Sequence, residues 1–434
     1  MEQTSKKFHY GYLIVGVAFM QLFMAGGIFF GSSGLFIVPV TESLGISQAQ
    51  FSLYLTFQQV AMGVAVILAP KLVEKIPFKR IDAMAIIPLS LAYPIMAFAN
   101  NVALLYVGGA LIGLSCAFLT FLAPGTLIPR WFKSRLNTMI AFAAAGVGVG
   151  GMVFNPVISA MINGPALLWF AESWRSTYFI LGCVVFVVCF PLAAFVLKDS
   201  PEDKGLRPYG EEEGRRLDAD SKTKRVVEGV NKSDAIKSMS FIFLYINIIS
   251  WNLGDTFVTF FPAYAASTAA ASKASFDLVG LIGSVESVGA MVGGFIIGYL
   301  FDKFSVKVGT IYSSVAGVVA VIIMLLSKNM AVAMMIGSFI FGSYYQIANV
   351  SMPAMVNTMY GEKDYDQIFP RASAIAPWIG AVAFPLWGLI NDLTGSFEAS
   401  FIAVMVICAI TSVSAILAIR ASKKLPRHQE TVEL

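Results

Sequence analysis

Nine stretches of the chain, 8–41, 43–70, 83–129, 136–171, 176–197, 308–327, 329–361, 372–391 and 399–419, contain no Asp, Glu, Lys or Arg. A helix crosses the hydrocarbon core of a bilayer with about 20 apolar residues, so each stretch is long enough to span. The run 83–129 has room for two helices, with Asn100-Asn101 as the turn between them. Two further apolar segments carry one acid in their interior, Asp255 within 239–266 and Glu286 within 277–301. Together these predict twelve transmembrane helices, an all-α integral membrane fold. Nothing reads as the ten-residue alternating strands of a membrane barrel. Only 13% of residues are charged, against about 25% in a soluble domain, too few to coat a water-soluble fold. Four cysteines in 434 residues exclude a disulfide scaffold, and 35 Phe exclude disorder.

The basic residues give an orientation. With the N-terminus in the cytoplasm, 27 of the 30 Lys and Arg fall on that side, and only Arg175, Lys273 and Lys328 fall on the other. A bias of this size predicts a multi-pass protein of the cytoplasmic membrane with both termini cytoplasmic. Lys6-Lys7 before an apolar run resembles the start of a signal peptide. The run is too long and lacks a small-residue cleavage site, so the first helix is expected to be retained. The one substantial polar segment, 198–238, separates an N-terminal six-helix bundle (1–197) from a C-terminal one (239–434). Its ten bases are balanced by ten acids, which argues against nucleic-acid binding and for a solvated linker.

The two bundles carry related loops. Pro70-x-x-x-Glu74-Lys75-x-x-x-Lys79-Arg80 follows the second span, and Gly298-x-x-x-Asp302-Lys303-x-x-x-Lys307 follows the eighth, 228 positions later. Parallel repeats of this kind are a mark of two-bundle transporters. On this pattern the chain resembles the major facilitator superfamily, whose loop signature is Gly-x-x-x-Asp-Arg/Lys-x-Gly-x-Arg/Lys. The second copy is the nearer match, and Pro77 and Ser305 stand where both copies should have the middle glycine. A narrower resemblance, to the oxalate/formate antiporter and monocarboxylate transporter branch, rests on four pieces. They are Arg130-Trp131-Phe132 with Arg135, Trp174-Arg175, Pro201-Glu202-Asp203-x-Gly205-Leu206-x-Pro208-x-Gly210 and Asp392-Leu393-Thr394-Gly395-Ser396-Phe397. The resemblance implies alternating access around a mid-membrane site lined by helices 1, 4, 7 and 10, helped by 2, 5, 8 and 11. It also assigns Glu74, Lys75, Lys79, Asp302, Lys303 and Lys307 to a gate that pairs in one conformation only.

An ionisable group inside a membrane costs at least about 2.5–3.5 kcal/mol on insertion scales, so each is a functional candidate. Asp255 and Glu286 are the two acids deep within a span, about equally far below the outer surface on neighbouring antiparallel helices. Two carboxylates approaching in low dielectric cannot both ionise cheaply, which suits a proton-coupling site. The alternative is a protonated acid bonded to a nearby Ser or Asn. Asn247, Trp251, Asp255 and Thr259 share one face of the seventh span at i, i+4 spacing, and Ser338, Gly342, Tyr345 and Asn349 one face of the tenth. With Gln21, Gln58, Gln59 and Trp378 they suggest a polar cavity, although interhelical bonding explains such residues too. The candidate substrate contacts are Gln21, Asn247, Trp251, Tyr345, Asn349 and Trp378.

Other features read as structural. Gly146-x-Gly148-x-Gly150-Gly151 lies mid-helix and lacks the strand context of a dinucleotide loop. Gly146-x-x-x-Gly150, Gly289-x-x-x-Gly293 and Gly294-x-x-x-Gly298 read as close helix contacts. Asn155-Pro156 and Phe384-Pro385 are expected to mark kinks. Cys116, Cys183, Cys189 and Cys408 have no metal spacing, and no nucleophile–base set or ATP loop is visible, so neither an enzyme nor a cofactor is expected. The branch commonly places a base on helix 8, eight positions before the loop acid, where this chain has Gly294. No Lys or Arg falls within a span, so a free di-anion such as oxalate is not expected as substrate. The sequence thus predicts a monomeric secondary transporter of a small organic solute, by resemblance a monocarboxylate, coupled to protons. An exporter or uniporter of a neutral or cationic apolar compound, and a non-transporting membrane receptor, are the alternatives.

Overall fold

The computed structural model describes residues 9–210 and 225–432. Among them eleven helices are long and apolar enough to cross a membrane. These are α1 (Tyr10–Leu44), α2 (Gln48–Ala69), α3 (Phe78–Ala97), α4 (Val102–Thr120), α5 (Thr138–Asn163), α6 (Ser173–Val196), α7 (Met239–Ala266), α8 (Leu278–Lys303), α9 (Val306–Leu326), α11 (Gln367–Thr394) and α12 (Glu398–Ser422). The twelfth expected span, α10, is made in two pieces: Ala331–Tyr345 ends at Gln346 and Ile347–Tyr360 continues it. A buried backbone must satisfy its own polar groups, and the polar residues at the span ends do so as caps. Ser47 and Gln50 form a reciprocal capping box on α2, and Asn101 caps α4. Asp277 caps α8 and Ser305 caps α9.

The helix order produces a repeat. In the first six helices α2 packs on α4, and α3 on α4 and α6; in the second six α8 packs on α10, and α9 on α10 and α12. Gly146, Gly150, Gly289 and Gly293 of the predicted pairs each sit against a neighbouring helix. A methyl group on Gly150 would lie 2.2 Å from the Phe23 carbonyl oxygen of α1, and one on Gly289 1.9 Å from that of Phe339 on α10. Gly298 meets nothing within 4 Å and needs another reason. The expected kinks do not interrupt their helices, since Pro156 and Pro385 both lie inside continuous ones. The irregular turns fall elsewhere: π-helical at Leu22–Gly26 of α1, Ala117–Leu122 after α4 begins and Leu192–Val196 of α6, and 3-10 at Ser33–Phe36 of α1 and Phe257–Phe260 of α7.

The two sets of helices meet on the face remote from the termini. Near it α5 bonds α8 through the Ser284 hydroxyl, which donates to the Met152 carbonyl at 3.0 Å. Thr56 of α2 donates to the Ala381 carbonyl of α11 at 2.6 Å. Asp392 at the end of α11 accepts from the backbone N–H groups of Gln48 (3.1 Å) and Ala49 (2.8 Å), capping α2 from the other half. α1 and α7 cross where Gly34 lies so near that a methyl group there would sit 2.0 Å from the Thr259 carbonyl oxygen. These contacts between the halves all lie between this face and mid-span, so the structure is closed there. Losing a carboxylate cap costs about 1 kcal/mol. Asp392→Ala should therefore raise amide exchange at Gln48 and Ala49 roughly fivefold; unchanged exchange would show that the cap contributes nothing to closure.

The polar segment is not a uniform linker. Its start belongs to the first half: Asp199 accepts from the Lys79 backbone N–H that opens α3 (2.7 Å), and the Tyr209 N–H donates to the Trp131 carbonyl (2.8 Å). His9, Tyr12, Trp131 and Phe132 complete an aromatic cluster there with Tyr209. Two of the motifs behind the branch resemblance, around Trp131 and around Tyr209, thus dock on each other. The end of the segment belongs to the second half. Strand β1 (Arg225–Gly229) pairs antiparallel with β2 (His428–Val432), Arg225 opposite Val432. The Val230 N–H donates to the Tyr360 carbonyl at 2.7 Å, and Gly361, at φ +76, leaves room for Glu228. A third motif ties three helix ends together. Arg175 donates to the Ala97 (3.0 Å) and Ala99 (2.7 Å) carbonyls and to Glu172, which also accepts from Ser43 at 2.6 Å. Burial pushes the Glu172 carboxyl up, but Ser43 and Arg175 outweigh it and hold it below its ordinary value.

Candidate functional site

A cavity of about 120 Å³ lies between the halves, ample for several water molecules or a small solute. Ser33, Phe29 and Phe30 line it from α1, Leu55, Gln58 and Gln59 from α2, Asn252, Asp255, Thr256, Val258 and Thr259 from α7, Tyr345 from α10 and Phe384 from α11. Three of these contributions come from helix irregularities: Ser33 opens the 3-10 turn of α1, Val258 and Thr259 lie in that of α7, and Tyr345 is the last residue before the break in α10. Irregular backbone at membrane depth is tolerated where it lines a cavity, because the loosened carbonyls can find partners there. Among the described residues Asp255 is the one ionisable carboxylate in the wall, and none of them there is a base.

Other groups hold this stretch of α7 in place. Trp387 of α11 donates through Nε1 to the Leu253 carbonyl (2.9 Å) and the Thr256 hydroxyl (3.2 Å), one residue from Asp255. Asn252 spends its N–H on the Ile248 carbonyl (2.9 Å) and Thr256 its hydroxyl on Leu253 (2.9 Å). Glu286 stands on α8 and is 6% exposed, with Oε1 unpartnered. It is within electrostatic reach of Asp255, and Tyr345 is within reach of both. The two acids and Tyr345 are therefore brought together, without a direct hydrogen bond between the carboxylates.

The remaining candidates go elsewhere. Asn247 is committed to α12, donating to the Thr411 carbonyl (2.7 Å) and the Ser414 hydroxyl (3.2 Å), so it braces two helices of one half and does not line the cavity. Trp251 is buried in the apolar core. Gln21 donates to Asp82 inside the first half, away from the cavity. Trp378 is 45% exposed and packs by Gly63 of α2. Asn349 and Glu74 belong to α10 and to the end of α2, and their side chains lie outside the described residues. Lys75 and Asp302 are exposed. Lys303 donates to the Tyr299 hydroxyl at 2.8 Å on its own helix, and Lys79 meets the first half through its backbone N–H. Among the described residues none of the gate's side chains pairs across the halves. The sequence counted Gln58 and Gln59 toward a polar cavity without naming them as contacts, and it did not single out Asn252, Phe29, Phe30 or Phe384, which line it too. It also missed Asp82, a third deeply buried acid.

Comparisons with known proteins agree with this architecture. The family model described as Major Facilitator Superfamily matches residues 17–272 and 241–434. Over 280 residues the chain is 24% identical to a probable transporter, MCH2, of Saccharomyces cerevisiae, covering 64% of this chain and 52% of that one. It is 26% identical over 183 residues to the oxalate:formate antiporter of Oxalobacter formigenes, 41% of each protein. These matches thus span about half or less of those relatives' lengths. Among solved structures, a bacterial homologue of the human lysosomal transporter Spinster, crystallised inward-facing and occupied, superimposes with a TM-score of 0.68 at 14% identity, over 95% of this chain and 96% of that one. That likeness shows a shared fold. The named relatives are transporters, and with its family model matched over nearly the whole length the chain belongs to the major facilitator superfamily.

Proposed function

We propose that this transporter moves a small organic solute across the cytoplasmic membrane by alternating access, both termini cytoplasmic, with Asp255 exchanging the coupling proton and Glu286 assisting. The observation that carries the reading is the place of Asp255: a lone carboxylate in the wall of a cavity lined by both halves. A carboxylate in low dielectric is stable when protonated or paired with a cation, so proton and solute can share one site. The likeness to an oxalate:formate antiporter supports a monocarboxylate-type solute. With no base in the wall, such a solute enters as the neutral acid or together with a proton. Phe29, Phe30, Tyr345 and Phe384 beside Asp255 favour, as a second reading, an amphipathic organic cation held by charge and aromatic faces.

Uptake by the purified protein in proteoliposomes tests this. An imposed proton gradient should drive accumulation of labelled short-chain carboxylates, or exchange of labelled organic amines on the second reading. A uniporter equilibrates its solute whatever the gradient, and a receptor binds without accumulating; either result overturns the proposal.

A further inference from the structure

We propose that Asp82 and Gln21 form a second proton-binding site, within the first half and separate from the Asp255 cavity. Both residues are completely buried. Gln21 Nε2 donates to Asp82 Oδ2 at 2.6 Å, which leaves two oxygens without partners, Asp82 Oδ1 and Gln21 Oε1. Among the described residues an ionised carboxylate in such a place has one neutral donor and no cation, an arrangement that buried charges rarely sustain. A proton on Asp82 Oδ1 removes the charge. It also supplies a donor for the amide oxygen, because an acid and a primary amide can bond reciprocally through both pairs of atoms. The step is a simple association: one proton arrives from solvent, one O–H bond forms, and nothing is oxidised or displaced.

The neighbours agree. The titratable groups that reach Asp82 are Asp199 beyond α6 and Cys189 on α6, neither of them a cation. On its own helix Arg80 is exposed, and Lys79 lies near Lys198 and Asp199 toward the helix end. α1 contributes Tyr10 and Tyr12 and α4 contributes Tyr106 and Cys116, while Arg175 of α6 is bound to the Ala97 and Ala99 carbonyls at the other end of α3 and Lys75, on the helix of α2, is exposed. The backbone around the pair is unusual as well. Gln21 is the residue from which the π-helical turn Leu22–Gly26 begins, and the π-helical turns at Ala117–Leu122 and Leu192–Val196 both pack on α3. Such turns are rare, cost regular hydrogen bonding and gather at functional sites. Two of the three described in this chain pack on the helix that carries Asp82, and the third starts beside the residue that bonds it.

This inference goes beyond the Asp255 reading and stands without it, since its test needs no transport. Infrared spectra of the purified full chain at neutral pH should contain the carbonyl band of an un-ionised carboxyl that disappears in Asp82→Asn and persists in Asp255→Asn. Asn keeps the shape and the reciprocal bonds, so the variant should fold. Its denaturation temperature should also be less sensitive to pH. A carboxyl protonated in the folded chain and ionised in the unfolded one loses stability as pH rises, until the folded group ionises too; Asp82→Asn lacks that loss. A spectrum unchanged by Asp82→Asn overturns the proposal. So does a sodium-dependent rise in denaturation temperature that Asp82→Asn abolishes, which makes the ligand a metal ion. Should Asp82→Asn fail to fold, Gln21→Leu still decides: the band must move as its N–H donor is lost, and an unmoved band overturns the site.

Discussion

Asp255→Asn should collapse gradient-driven accumulation to simple equilibration while leaving the protein folded and able to bind its solute. One pH unit of imposed gradient is worth about 1.4 kcal/mol per coupled proton, the same as tenfold accumulation, so a gradient of one unit sustains roughly tenfold accumulation. Asn has nearly the same volume and cannot carry the proton, so that factor should fall to about one. The fold should tolerate the change because Trp387 holds the α7 backbone through Leu253 and Thr256, not through Asp255. Counterflow of labelled solute between equally loaded sides should persist, since it needs a site but no net proton movement. Retained accumulation in Asp255→Asn and in Glu286→Gln alike would remove both residues from coupling.

Gly34→Val should trap the protein with the face remote from its termini open. At the crossing of α1 and α7 even a methyl group would sit 2.0 Å from the Thr259 carbonyl oxygen, a backbone atom that cannot rotate away. Overpacking costs about 1–3 kcal/mol, enough to shift a two-state equilibrium roughly fivefold to more than a hundredfold. The clash exists only when that face is closed, so the penalty falls on one state and turnover should drop by a similar factor. Spin labels at Glu42 and Lys273, exposed positions of the two halves on that face, read the outcome. Their distance distribution should move to longer values in Gly34→Val; an unchanged distribution with normal transport would mean that α1 and α7 do not set closure.

The spans were legible because a bilayer imposes one dominant demand, about twenty uncharged residues, and the uncharged runs answer it directly. Asp255 and Glu286 were legible for the converse reason: a lone acid inside an apolar stretch has few explanations. Asp82 was missed by the same rule, which starts a span after its last charge. α3 in fact begins at Phe78, so Lys79, Arg80 and Asp82 are already helical, and Asp82 turns inward while Arg80 reaches solvent. Asn247 shows the limit of facing arguments. An i, i+4 stripe says that residues share a face, not which neighbour that face meets, and here the neighbour at Asn247 is α12. Pro39 and Pro262 follow the turns Ser33–Phe36 and Phe257–Phe260 closely, but Pro156 and Pro385 stayed inside helices, so a proline alone does not say where a helix breaks. In a packed bundle tertiary contacts decide where a helix loosens, and those contacts are not local in sequence.

The middle segment has a consequence for how the protein is put together. Its first part is held by Asp199 and Tyr209 against one half, and its last part by the β1–β2 pair and the Tyr360 bond against the other. Each end is therefore finished locally, like the hem of a separate piece. The contacts of Asp199, Tyr209, β1 and Val230 each stay within one half. Among the described residues the halves are joined as a machine by the seam of α1 with α7, α2 with α11 and α5 with α8.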